Sequence, residues 1–329
     1  NPDFYVVLQE TETINYPKKC KDSLLQFIHQ KTIIKNKLND ATGGFKVKED
    51  VKEFRKTKDY LICIDSDGCV MDTMDVKHMR CFGPCLVYEW DLGEYRDEII
   101  RLWRKVNLLS VTRGVNRFQG LAQVLKSINE NYTTVEGLEE YLHWAESAQE
   151  LSDKSLKEAY EKTENICMKK ALDWSRLVNQ SMAMVSDNKK PPFDGTEDAL
   201  RMAREYADIV IVTAANRQEI NKEWEFFELA QYTDLLMSQE TGRKEECLRE
   251  LLDKGYEKDH VLMIGDAPAD LEAARRAEIL FYPILAYQER ESWEKFSEAL
   301  KHFTEGDYTG AYQDGKIKEF QENLHIEDK

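Results

Sequence analysis

The chain has 329 residues, with 62 Asp and Glu against 46 Lys and Arg, which gives a formal net charge of −16. Hydrophobic residues at 42% and charged residues at 33% fit a soluble globular protein, long enough for two domains or for one core with a large insertion. The acid excess argues against a nucleic-acid polymer as partner. No apolar run nears the roughly 20 residues of a membrane-spanning helix, so no membrane is expected either.

The start, Asn1-Pro2-Asp3-Phe4, shows no basic segment followed by an apolar block, and no signal peptide is read there. Residues 1–58 are mixed and Lys-rich, with a short apolar run at Tyr5-Val6-Val7-Leu8 and an amphipathic stretch near Ser23–Thr32. They read as an N-terminal extension of unknown role. Tyr60-Leu61-Ile62-Cys63-Ile64 reads as a buried strand, short, apolar and partly β-branched. It ends abruptly in Asp65-Ser66-Asp67-Gly68. Residues 74–190 carry helical spacing and no strand of comparable strength, so they read as a helical insertion. Trp103, Tyr141, Trp144 and Trp174 are expected to form its core. Pro191-Pro192 breaks the chain. Asp194 and Thr196 are candidate N-caps for a helix through Ala207. A strand at Asp208–Val212, a helix from about Gln218 to Ala230 and the short apolar Leu235-Leu236-Met237 follow. Next come a helix over roughly Lys244–Lys254, a strand at Val261–Ile264, a helix from about Ala269 to Ala277 and a strand at Ile279–Phe281. Ser292-Trp293-Glu294-Lys295-Phe296 begins an amphipathic helix within a C-terminal extension over 291–329.

Strands alternating with helices of this length imply an α/β fold: a doubly wound parallel sheet, Rossmann-like, over 59–73 and 191–290, with a large α-helical domain inserted at 74–190. Ligands in such sheets sit at the carboxyl ends of the strands, where polar residues begin here three times. The cysteines are Cys20, Cys63, Cys69, Cys81, Cys85, Cys167 and Cys247. Their number is odd, and Cys81 and Cys85 have no second pair to complete a zinc set. Reduced, mostly buried thiols in a cytoplasmic protein are expected.

Four segments carry chemistry. In Asp65-Ser66-Asp67-Gly68, the two carboxylates point to one side if the chain stays extended, and they repel unless one binds a proton or a cation lies between them. An Asp-Gly after a strand is also an ordinary turn. Thr213, followed by Ala214 and Ala215, can offer a hydroxyl and free N–H groups to an oxyanion, or Thr213 or Asn216 can cap a helix. Lys244 opens a helix after Thr241-Gly242-Arg243, where the helix dipole does not favour a cation. A solvated lysine is the plainer reading. In Gly265-Asp266-Ala267-Pro268-Ala269-Asp270, Asp266 follows an apolar strand directly. Hard cations such as Mg²⁺ take such oxygen ligands, although Asp270 also suits a helix N-terminus. In the insertion, Val111 through Gly120 holds Arg113 and Arg117 between helical segments. Arginine grips carboxylate or phosphate bidentately, so both are substrate candidates.

The ordered set of DxDG, Thr, Lys and GDxxxD resembles the haloacid dehalogenase-like hydrolase superfamily, over Tyr60–Thr73 and about Pro192–Pro283. The run Asp65 to Thr73 and the segment Pro192-Phe193-Asp194-Gly195-Thr196-Glu197-Asp198-Ala199-Leu200 resemble its phosphatase and phosphomutase branch. The resemblance implies a nucleophile at Asp65 that becomes an aspartyl-phosphate. It implies a general acid and base at Asp67 and phosphoryl-oxygen binding by Thr213, Ala214 and Lys244. It implies Mg²⁺ held by Asp65, the main-chain carbonyl of Asp67, and Asp266, with Asp270 ligating or orienting that set. An acid at Asp67 favours phosphate-ester chemistry, since dehalogenases need no proton for their leaving group. The helices after Asp72-Thr73 resemble a cap that closes over the site, larger than usual. The implied function is a Mg²⁺-dependent phosphatase of a small phosphorylated metabolite. A phosphomutase of the β-phosphoglucomutase type and a non-catalytic binding or assembly protein are the alternatives.

Overall fold

A computed structural model describes residues 51–325. The expectations for Tyr5–Leu8, Cys20 and Ser23–Thr32 lie outside the described residues. Five strands form one parallel sheet: β1 (Tyr60–Ile64), β2 (Ala207–Val212), β3 (Leu235–Met237), β4 (Val261–Gly265) and β5 (Leu280–Pro283), in the order β3-β2-β1-β4-β5. Ile62 stands opposite Ile209 on one side and Leu262 on the other. The strand order reverses beside β1, so a crevice opens at the carboxyl ends of β1 and β4.

The insertion after β1 carries six α-helices: α1 (Gly83–Glu89), α2 (Arg96–Leu108), α3 (Arg117–Asn131), α4 (Leu138–Ser147), α5 (Asp153–Thr163) and α6 (Ile166–Met184). After the insertion come α7 (Thr196–Ala203), α8 (Arg217–Phe226), α9 (Lys244–Leu252), α10 (Pro268–Ala277), α11 (Glu289–Glu305) and α12 (Ala311–Asn323). No helix among the described residues is long and apolar enough to cross a membrane.

Strand periodicity divides the central core in two. Ile62, Ile64, Ile209, Ile211 and Ile264 face α7 and α11, where Leu200, Trp293 and Phe296 pack. Leu61, Cys63, Val210, Val212 and Met263 face the other way, toward Leu248 on α9, Ala274 on α10 and Phe320 on α12. Both faces are covered, which is why the strands read as continuous apolar runs.

The inserted helices bury a core of their own. Trp103 of α2, Phe118 of α3, Tyr141 and Trp144 of α4, and Trp174 of α6 lie within it, as their aromatic character suggests. The Trp174 indole N–H donates to Phe82 O at 3.1 Å. Trp174→Ala is expected to lower stability by about 3–5 kcal/mol, because a fully buried aromatic leaves a cavity that its neighbours fill only in part. A urea denaturation midpoint unchanged from wild type would exclude this.

The chain leaves and re-enters the sheet domain by two adjacent segments. Asp72 N–H donates to Pro191 O at 2.8 Å and Phe193 N–H to Val70 O at 2.9 Å. Met71 and Pro192 form an isolated antiparallel bridge between them.

Several boundaries differ from expectation for local reasons. The cap of α7 is Gly195, at φ +89°, rather than Asp194 or Thr196, because Thr196 turns inward and is fully buried. That helix ends at Ala203 rather than Ala207, which begins β2. Helix α8 stops at Phe226 rather than Ala230, since Glu228 takes a left-handed conformation and a 3₁₀ turn follows over Leu229–Tyr232. Ile279 lies just beyond α10 and closes its end, its N–H bonded to Ala274 O, so β5 starts at Leu280.

The segments flanking the expected core join it. Phe54 is buried, and the main-chain N–H groups of Thr57 and Lys58 donate to Asp208 Oδ2 at 2.8 and 3.0 Å. At the other end, Phe281 on the edge strand β5 has its N–H bonded to Gln313 Oε1 at 3.0 Å. Its carbonyl accepts from Tyr308 OH at 2.9 Å. Side chains of the C-terminal segment thus satisfy an edge that would otherwise be open to pairing. The six described cysteines are free thiols, all buried.

Candidate active site

The three carboxyl-terminal handovers converge. Asp65 continues the ladder by one residue, its N–H donating to Ile264 O at 3.0 Å. Gly68, at φ +78°, then turns the chain sharply, with the Ser66 carbonyl accepting from Val70 and Met71 N–H at 2.9 Å each. Asp65 Oδ1 accepts from Ser66 N–H at 2.8 Å, and Lys244 Nζ lies 2.8 Å from Asp65 Oδ2. Lys244 stands at the first position of α9, where the helix dipole disfavours a cation. Two buried carboxylates offset this: Asp65 and Asp270, whose Oδ1 accepts from the same ammonium. Burial alone would push the Lys244 ammonium down, yet these two acids hold its pKa above the usual lysine value.

Asp270, in the first turn of α10, has divided duties. Its Oδ2 accepts Ala267 N–H at 3.0 Å and caps the helix, while Oδ1 meets Lys244. Gly265 allows this approach, since a Cβ there would lie 2.4 Å from the Asp270 carboxyl carbon. Asp266 is 1% exposed. Its Oδ2 is bound by Arg113, and its Oδ1 has no hydrogen-bond partner among the described residues.

One carboxylate oxygen from each of Asp65, Asp266 and Asp270 falls within 4.8 Å of the others. Burial raises both Asp266 and Asp270 above the usual carboxylate range, and the repulsion of Asp65 adds to it. Three hard oxygen donors in close approach, one of them with a buried orphan oxygen, fit a divalent cation such as Mg²⁺. A cation there would reverse the local sign and favour the ionised acids.

Asp67 stands in a different network. Its Oδ1 accepts from Thr73 Oγ1 at 2.5 Å, and Lys77 Nζ donates to Oδ1 at 2.8 Å and Oδ2 at 2.7 Å. Burial is the largest single influence and works to raise its pKa, but the Lys77 charge, the hydrogen bonds from Lys77 and Thr73 and the Lys190 charge together hold the Asp67 carboxyl below its ordinary value. Lys77 also lies 3.3 Å from Glu219 Oε1 on α8, and Lys190 pairs with Glu223 of the same helix. Thr73 and Lys77 follow the outgoing crossing of the insertion, and Lys190 precedes the returning one. Both crossings are therefore tied by charge to α8 and to Asp67.

Thr213 is buried at the end of β2, with its hydroxyl accepting Ala215 N–H at 3.2 Å. Asn216 is the residue that caps α8, through Gln218 and Glu219 N–H at 2.9 and 3.3 Å. Thr213, Ala214 and Lys244 line a cavity of about 550 Å³ together with Asp65 and Asp67. The insertion roofs it with Met74, His78, Phe82, Val115 and Arg117. His78 accepts from the Trp103 indole N–H at 3.1 Å. Burial, with Arg113 and Lys77 nearby, lowers its pKa to about 3, so it is neutral.

The two arginine candidates part company. Arg117 lies over the Phe82 ring at 5.2 Å and donates to Asn179 Oδ1 at 2.7 Å, lining the cavity with neutral hydrogen-bond partners. Arg113 is buried against Asp266, outside the cavity lining. A second depression, of about 740 Å³, lies at the opposite end of the sheet, lined by Tyr256, Lys258, Glu278 and Gln313, and holds none of these residues.

Lys77, Lys190, Glu219 and Glu223 escaped the sequence reading. Only Lys77 had a nearby signal: its position four residues after Thr73, at the start of a helical turn.

The sequence profile of the haloacid dehalogenase-like hydrolases matches residues 115–284, just over half of the chain. No curated protein sequence matches. Among solved structures, a haloacid dehalogenase-like family hydrolase from Streptococcus pneumoniae is similar at 12% identity. That match covers 74% of this chain and 98% of the other, with a TM-score of 0.42. A predicted phosphatase from Clostridium acetobutylicum is similar at 15% identity, covering 76% and 100%, with a TM-score of 0.44. These structural likenesses are distant; the profile match is what places the chain.

Proposed function

The chain belongs to the haloacid dehalogenase-like hydrolase family, and from that premise we propose that it is a Mg²⁺-dependent phosphatase of a small, cytoplasmic phosphomonoester. The observation that carries this reading is the meeting of the Asp65, Asp266 and Asp270 carboxylates with Lys244 at one cavity, beside Asp67.

Phosphoryl transfer needs positioning and charge neutralisation more than it needs protein chemistry. Asp65 is the nucleophile: a carboxylate oxygen attacks phosphorus, the ester oxygen leaves, and an aspartyl-phosphate forms. Lys244, already on Asp65 Oδ2, offsets the repulsion between carboxylate and phosphate and holds a phosphoryl oxygen. The Thr213 hydroxyl and the Ala214 main chain face the same cavity and hold the others. Asp67 gives the proton to the leaving oxygen and then takes one from the water that cleaves the acyl phosphate. Lys77 favours the ionised form of Asp67, which is the form the second half requires; in the first half the charge of the bound phosphate offsets that of Lys77, and Asp67 takes up from solvent the proton it passes to the leaving oxygen. Asp65, the main-chain carbonyl of Asp67, Asp266 and Asp270 would hold or orient Mg²⁺, which supplies positive charge against the transferring group.

The helical insertion over 74–190 acts as the cap, with residues 59–73 and 191–290 as the catalytic core. It roofs the cavity and excludes water from the acyl-phosphate-forming step. Arg117 supplies a cation for a second polar group of the substrate. A cavity of about 550 Å³ suits a small metabolite rather than a polymer.

A panel of phosphorylated metabolites with Mg²⁺, using Asp65→Asn as the blank, tests this reading. Release of inorganic phosphate from at least one compound by the wild type, absent from the blank, is expected. No release across the panel overturns it. Transfer of the phosphoryl group to a sugar hydroxyl instead of water replaces it with the mutase reading.

A further inference from the structure

None of the steps above uses Arg113, yet its surroundings are specialised. It lies between α2 and α3 and is 2% exposed. Its Nε donates to Asp266 O at 3.2 Å and to Asp266 Oδ2 at 2.7 Å, and Nη2 lies 2.7 Å from the same Oδ2. Its Nη1 donates to Leu108 O at 3.0 Å, anchoring the guanidinium to the end of α2. Oδ2 of Asp266 therefore takes every guanidinium contact made to that carboxylate, and the buried Oδ1 takes none.

Two glycines clear the space for this docking. A Cβ on Gly68, in the loop after β1, would lie 2.5 Å from Asp266 Oδ2 and 2.9 Å from Arg113 Nη2. A Cβ on Gly114, on the insertion, would lie 2.5 Å from the Ala267 Cβ. Both have positive φ, at +78° and +75°. One glycine from each side of the contact lets the insertion press directly onto the segment that carries Asp266. An incidental ion pair has no need of such fitting.

A carboxylate held through one oxygen has its plane fixed and its other oxygen presented in one direction. Partners of this kind set the orientation of metal ligands. We propose that Arg113 is a positioning residue, delivered by the insertion to orient Asp266, so that the cation site of Asp65, Asp266 and Asp270 is complete only when the insertion is docked on the core. This rests on the reading of those carboxylates as a cation site. By reciprocity of linked equilibria, a cation bound there stabilises the docked insertion by the same factor. The guanidinium charge alone would act the other way and weaken cation binding. The sign of the effect therefore separates orientation from repulsion.

Calorimetric titration of the full chain with Mg²⁺ decides it, comparing wild type, Arg113→Met and Arg113→Lys. Arg113→Met is expected to bind at least about tenfold more weakly. Arg113→Lys recovers part of the loss, since an ammonium keeps the charge without the fork. Equal or tighter binding by Arg113→Met overturns the proposal while leaving the cation site intact. No binding by the wild type overturns the cation site as well. Hydrogen exchange on the wild type covers the case of a misfolded variant. Mg²⁺ is expected to slow exchange of the 109–116 amides, and unchanged or faster exchange overturns the proposal.

Discussion

Asp65→Asn is expected to reduce phosphatase turnover by about 10⁴-fold or more, the scale seen when a covalent nucleophile is removed. The amide is nearly isosteric, but its oxygen is neutral and does not form an acyl phosphate. Lys244 keeps its contact with Asp270, so the substituted site still has one acid for its buried ammonium. The fold is therefore expected to survive. The checks are steady-state phosphate release and a thermal melt on the same preparation. Turnover within tenfold of wild type, from a folded protein, would exclude Asp65 as the nucleophile. Loss of both turnover and the folding transition would instead assign Asp65 a structural role.

Asp67→Asn is expected to cost about 10²- to 10⁴-fold with alkyl phosphates, the usual worth of a positioned general acid and base. The loss should depend on the leaving group. An alkoxide needs the proton of Asp67, whereas a nitrophenolate leaves without it, so the first half-reaction with p-nitrophenyl phosphate should be nearly normal. Hydrolysis of the aspartyl-phosphate still lacks its base. The variant should therefore give a burst of nitrophenol and accumulate phospho-enzyme, seen as added mass on the intact protein. Equal losses for alkyl and nitrophenyl esters, with no burst, would contradict the assignment. The substitution also leaves Lys77 with one fewer charge partner, but Glu219 at 3.3 Å remains to hold it.

Much of the sheet domain is legible along the chain because its signals are local. Tyr60–Ile64, Asp208–Val212 and Val261–Ile264 read as strands, since burial on both faces demands unbroken apolar runs. Polar residues immediately after such runs stand at the carboxyl ends, where parallel sheets bind ligands. That is why Asp65, Thr213 and Asp266 stand out without a structure. Helix ends are less legible. Gly195 and left-handed Glu228 set boundaries by backbone conformation, which the side-chain pattern does not record.

The charge network around Asp67 is hidden for a different reason. Lys77, Lys190, Glu219 and Glu223 are spread over some 150 residues and look like ordinary surface charges in a chain that is one-third charged. Only the pairing of the two crossings at Met71 and Pro192 brings them to one place.

Arg113 and Arg117 show most clearly where the division falls. Four residues apart in one segment, they carry the same chemical signal, a cation suited to phosphate or carboxylate. Their sequence determined that the insertion would bring arginine to the neighbourhood of the strand ends. The tertiary structure decided that Arg117 faces the cavity while Arg113 is buried on a carboxylate 153 residues away. The physical reason is that side-chain type is a property of the chain, whereas partner and burial depend on which backbones approach closely enough. Here the approach is set by Gly68 and Gly114, whose missing side chains acquire their meaning only when the insertion meets the core.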